Sequence, residues 1–122
     1  MPDFKVSITS TPETMKSFRR NELELMLSVT SEENQPPFNY WVEAIVTVPH
    51  LTSLAPDRPL ENGKLLLGII SNGSAKEKRF KLFANNNIYP DTYKIMLTIL
   101  FYDSEGAVAE RQDVTKEIVC SD

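Results

Sequence analysis

Residues 89–106 read YPDTYKIMLTILFYDSEG, the most apolar run of the chain, with Pro90-Asp91 before it and DSEG at 103–106 after it. Both ends carry the residue types that make turns. Side chains of a strand point alternately to its two faces. One set here is Tyr93, Ile95, Leu97, Ile99 and Phe101, and it is expected to fill a core. The other set is Lys94, Met96, Thr98, Leu100 and Tyr102, apolar at three positions although it should face outward. Tyr93 stands just inside the strand after a proline-containing turn, the placing of a tyrosine corner, whose hydroxyl bonds to nearby backbone.

The same period of two governs the rest of the chain. Phe4, Val6 and Ile8 alternate with Lys5, Ser7 and Thr9, and Leu23, Leu25, Leu27 and Val29 alternate with Glu22, Glu24, Met26 and Ser28. Further strands are expected at 40–48, 64–70, 76–83, 92–102 and 108–119, separated by the turn signals ENQPP, ENG, SNGS, NNN and DSEG. Seven short strands at this spacing predict an all-β fold, an immunoglobulin-like antiparallel β-sandwich in two sheets. A helix over 11–20 is the competing reading, on the Ser10/Glu13 capping spacing, Pro12, and Met15 and Phe18 three apart. A loop joining the first two strands accounts for the same residues.

At 122 residues the chain has the size of one ordinary domain, 1–122. Hydrophobic residues at 41% and charged residues at 25% place it among globular rather than disordered chains. A formal net charge of −4 argues against a nucleic-acid surface, which needs clustered positive charge. The one cysteine, Cys120, cannot form an intrachain disulfide. The N-terminal MPDFKVSITS lacks the apolar core of a signal peptide, and no run is long enough to span a membrane. As written, the sequence reads as cytoplasmic, with the cell surface as its place if an export signal has been removed.

The order of features resembles the immunoglobulin-like domains of archaeal surface-layer-type proteins and the related cell-adhesion modules called CARDB. The resemblance runs through KVSITSTPE followed by RRNELELMLSV, then YWVEAIVTVP, then LLLGIISNGSAKEKRFKLFA, and ends in YPDTYKIMLTILFYDSEG. Asp91 stands where those domains usually have glycine, and 17–22 lacks their glycine before the second strand. The resemblance implies a stalk, linker or adhesion module, often found in tandem, and here present in one copy.

No catalytic constellation is legible, so the chain is expected not to be an enzyme. His50 is the only histidine, which rules out a Ser-His-Asp triad, a His-rich metal site and a blue-copper centre. Four glycines form no phosphate-cradling loop, and no cofactor is expected. The pair Glu32-Glu33 reads as solvated loop charge. Lys76, Lys78, Arg79 and Lys81 form the one basic run, either a patch for an acidic partner or an edge strand guarded by lysines. Asn72-Gly73-Ser74 fits a glycosylation sequon that its turn explains equally well.

In such a sandwich the third, sixth and seventh strands share one sheet. On the third, Tyr40, Val42, Ala44, Val46 and Val48 should face the core, leaving Trp41, Glu43, Ile45 and Thr47 outward. Trp41, Ile45, Met96, Leu100 and Tyr102 are then the expected partner-contact residues, sharing one outer face. A patch of that kind suits protein docking or self-association. Carbohydrate stacking on the same aromatics is the alternative. Two arrangements would abolish the patch: a roof formed by 50–60, HLTSLAPDRPL, or a bulge that turns Trp41 inward.

Overall fold

The computed structural model describes residues 4–32, 39–71 and 73–122. Its strands are β1 (Phe4–Thr11), β2 (Met15–Lys16), β3 (Asn21–Ser31), β4 (Asn39–Thr47), β5 (Thr52–Ser53), β6 (Asn62–Ser71), β7 (Ala75–Ala84), β8 (Asp91–Tyr102) and β9 (Val108–Ser121). The seven long strands are those expected from alternation; β2 and β5 are two-residue additions that tie loops to sheet edges. One sheet runs β1-β3-β7-β5 and the other β2-β9-β8-β4-β6. Every pairing is antiparallel except β2 with β9. The molecule is an immunoglobulin-like β-sandwich.

The core forms where the two apolar parities meet. Leu23, Leu25, Leu27 and Val29 of β3 bury against Val42, Ala44 and Val46 of β4 and Ile95, Leu97, Ile99 and Phe101 of β8. Burial of each large aliphatic chain contributes about 1.5–3 kcal/mol, which makes this row the main source of stability. The Phe4 and Phe101 rings stack at 4.1 Å between centroids. Tyr93 is buried, and its hydroxyl donates to the Tyr89 carbonyl at 2.7 Å, so the corner predicted from sequence is formed.

Among the described residues there is no helix, and 11–20 crosses from one sheet to the other. A helix would put Met15 and Phe18 on one face, yet Met15 is 0% exposed and Phe18 62%. Met15 enters the core as β2 pairs with β9 at Cys120. The Asn21 side chain then closes the turn, accepting from the Lys16 amide and donating to the carbonyls of Lys16 and Arg19, each at 2.9 Å.

The β6–β7 connection also changes sheets. Ser74 caps it: its amide and hydroxyl donate to the Ser71 carbonyl, and the Ser71 amide donates to its oxygen. Asn72, the asparagine of the sequon, lies outside the described residues, as does Glu33. The four-stranded sheet has a wet outer face, where Glu24 meets Arg79 at 3.1 Å and Glu22 meets Lys81 at 3.3 Å. Exposed pairs of this kind contribute about 0–1 kcal/mol each, so they hold the face polar rather than hold the fold.

Candidate docking face

The outer face of the five-stranded sheet is built by register. Trp41 lies opposite Tyr102 on one side and Ile69 on the other, and Tyr102 lies opposite Val108. The row across four strands is therefore Ile69, Trp41, Tyr102 and Val108. The next row is Leu66, Glu43, Leu100 and Arg111, and the third is Lys64, Ile45, Thr98 and Asp113. Met96 follows diagonally, opposite Thr47. Ile45 is 39% exposed, Trp41 42%, Leu66 53%, Ile69 56% and Met96 57%.

All five residues expected from sequence, Trp41, Ile45, Met96, Leu100 and Tyr102, fall on this face. Leu100, between Glu43 and Arg111, and Tyr102, between Trp41 and Val108, are only partly exposed. Neither covering arrangement occurs. Val42 is fully buried with Trp41 beside it outward, and the β4–β8 register runs unbroken from Trp41 to Thr47. Segment 50–60 turns the other way: Leu51 and Leu54 pack on the core, and β5 joins β7 in the opposite sheet.

Sequence reasoning missed Leu66, Ile69 and Val108. A bulge explains each omission. In β6 the register slips between Val42 and Glu43 of its partner, so Leu67 is an extra, buried residue and the outward positions are 66 and 69. Strict alternation cannot give that spacing. Gly68, at φ 102°, marks the bend, and a lone glycine inside an apolar strand is the signal that could have located it. A second slip, between Phe101 and Tyr102, aligns Val108 with the apolar row.

One carboxylate sits inside the patch. Glu43 accepts from the Tyr102 hydroxyl at 2.7 Å, and Lys64 Nζ lies 3.8 Å away. Donation to this carboxylate is the main reason the Tyr102 phenol titrates above its usual range; burial adds to it. On the β9 side Asp113 accepts from Thr98 at 2.7 Å and from Arg111 at 3.3 Å, which holds its carboxyl below the usual range. The polar groups named here are thus paired with one another, beside the exposed apolar side chains of the face.

A concavity of about 680 Å³ lies elsewhere, at the end of the sandwich between the start of β3 and the 50–61 loop. Its polar groups largely hold that loop together. The Ser53 hydroxyl donates to the Arg58 carbonyl and accepts from the amides of Ala55 and Leu60, and Thr52 donates to the Pro49 carbonyl. His50 faces Glu61 at 3.5 Å in the open. Among the described residues no group of three or more His, Cys, Asp or Glu side chains is placed to hold a metal ion. Nor is any helix long and apolar enough to cross a membrane.

The fold and the face define an immunoglobulin-like sandwich with one wet and one apolar outer surface. No family model matches the chain, and no curated protein matches it. Among solved structures it is similar to the CARDB domain of a Pyrococcus furiosus protein, solved in complex with di-metal ions. That likeness has 16% identity, covers 98% of this chain and 88% of the other, and gives a TM-score of 0.53. It is also similar to an ApaA protein of Bordetella pertussis, at 13% identity, 98% and 94% coverage and a TM-score of 0.53. At such identities the likeness is one of fold, and it agrees with the CARDB-like resemblance read from the sequence.

Proposed function

We propose that the chain is a non-enzymatic interaction module whose docking surface is the outer face of the five-stranded sheet, and that a second copy of the chain is one occupant of it. The observation that carries this reading is the four-strand apolar row, Ile69–Trp41–Tyr102–Val108, continued by Leu66, Leu100 and Ile45. With strands about 4.8 Å apart and outward residues about 6.8 Å apart, these rows cover about 400 Å². Face-to-face docking of two copies then buries about 800 Å² in total, below the ~1,200 Å² of stable complexes. Self-association is therefore weak and concentration-dependent. A finer reading, an adhesion or surface-layer module, rests on the resemblance alone.

Sedimentation velocity across a concentration series tests it. The wild-type chain is expected to gain mass with concentration, and Trp41→Glu or Leu100→Glu to remain monomeric throughout. A wild type as monomeric as the variants at every concentration overturns the reading.

The side-by-side placing of Trp41 and Tyr102 supports one second reading, a carbohydrate platform. It requires Trp41 fluorescence to change on titration with glycans, and a flat response across a broad panel disposes of it.

A further inference from the structure

A sheet edge exposes unpaired backbone amides and carbonyls, and natural sheets guard such edges with charges, bulges or covering segments. This sandwich has two open sides. On one, β1 faces β9, and the gap is bridged: Gln112 Nε2 donates to the Phe4 carbonyl at 3.2 Å, and β2 covers the end of β9. Glu110 and Lys116 also share the core-facing parity of β9, opposite Phe101 and Ile95, so that edge carries charges of both signs. On the other side β6 faces β7 across a groove of about 190 Å³ floored by Val46, Leu54, Leu60, Leu65 and Phe80.

The two edges of this second side differ in kind. β6 has no charge from Leu65 to Ile70, and β5 shields β7 only at Phe83 and Ala84. Lys76 and Lys78 of β7 take the core-facing parity, opposite the buried Val29 and Leu27, although a core position ordinarily excludes a lone cation. Among the described residues neither makes an ion pair. Lys64 and Lys81 stand at the rim of the groove already paired with Glu43 and Glu22, so Lys76 and Lys78 are the cations this side leaves without an ion pair among the described residues. The bulge twists β6, but among the described residues nothing lies within 4 Å of where a Gly68 side chain would begin, which leaves this stretch of the strand uncovered.

We propose that the free edge of β6 is a strand-acceptor site for an extended segment of a partner protein in which acidic and apolar residues alternate. Added to β6, such a strand sets its apolar residues beside Leu66 and Ile69 and its carboxylates toward Lys76 and Lys78. Backbone pairing supplies the affinity, and the lysines select the charge. The site borders the docking face at Leu66 and Ile69 but uses the backbone edge of β6 and the β7 lysines rather than Trp41 and Leu100, so the two readings fail separately.

The test uses a peptide about eight residues long, an ordinary strand length, of alternating glutamate and valine, beside its lysine–valine counterpart. Amide exchange and affinity are read for the full chain. The glutamate peptide is expected to protect amides of Lys64–Ile69 and to bind more tightly than the lysine peptide. Salt should weaken it, and K76E/K78E should weaken it about fivefold or more. Both lysines are exposed or half-exposed, and an unchanged melting curve for the double variant separates lost binding from lost folding. Trp41→Glu is expected to leave the affinity within about twofold. Equal affinity for the two peptides, an unaffected double variant, or no protection along β6 overturns the proposal.

Discussion

Tyr93 and Tyr102 stand nine residues apart on one strand and do opposite things, because one phenol is buried against backbone and the other donates to a carboxylate. Tyr93→Phe removes a buried hydroxyl together with its bond to the Tyr89 carbonyl and is expected to lower stability by about 1 kcal/mol in denaturant unfolding. Tyr102 reports on the face instead. Ionising it would set a phenolate against the Glu43 carboxylate, so its pKa lies above the ordinary phenol value. The native state therefore keeps this proton after the unfolded chain has begun to lose it. The stability it contributes is present at and below neutral pH and declines as pH rises past the unfolded value. In an alkaline absorbance titration, Tyr102→Phe should remove a component titrating above the ordinary range, and Glu43→Gln should move that component down. A Tyr102 signal that titrates at the ordinary value in the wild type contradicts the pairing. Asp113 has the reverse sign: its depressed carboxyl contributes stability that is lost as pH falls through its folded value.

For single strands, parity carried most of the information. Alternation in β3, β4 and β8 placed Leu23 through Val29, Tyr40 through Val48, and Tyr93 through Phe101 in the core, and all are buried except Tyr40, which is partly buried and packs against the core. The neighbours Leu97 and Met96 make the point measurable. Leu97→Ala is expected to cost about 2–5 kcal/mol, because it empties a packed site. Met96→Ala, on the outer face, should stay within about 0.5 kcal/mol. Similar losses at both positions would refute the assignment of faces. Parity failed in β6, where a period of two cannot survive an inserted residue, and Gly68 was the one local mark of it. It also gave no warning that 11–20 would change sheets. The Ser10/Glu13 spacing suits a helix cap, but burial of Met15 beside Cys120 outweighs a local preference worth about 1 kcal/mol.

For the molecule as a whole, the two outer surfaces divide the labour. One sheet presents cross-strand ion pairs to water, while the other presents tryptophan, isoleucine, leucine and valine across four strands. The candidate face was half legible in the sequence. The residues on β4 and β8 could be read from alternation; those on β6 and β9 could not, because they depend on bulges and on strand neighbours far apart in the chain. The basic run Lys76, Lys78, Arg79 and Lys81 was legible despite a net charge of −4, but only the register shows that Lys76 and Lys78 take the core-facing parity while Arg79 and Lys81 pair on the outer face. The most direct test of the docking face is an amide and indole NMR spectrum of the labelled chain recorded from dilute to concentrated. Shifts are predicted to move at Trp41, Ile69, Leu66 and Tyr102 and to stay fixed at Glu22, Glu24 and Arg79 on the opposite sheet. Shifts that stay fixed on both sheets, or that move on the charged sheet instead, would contradict it.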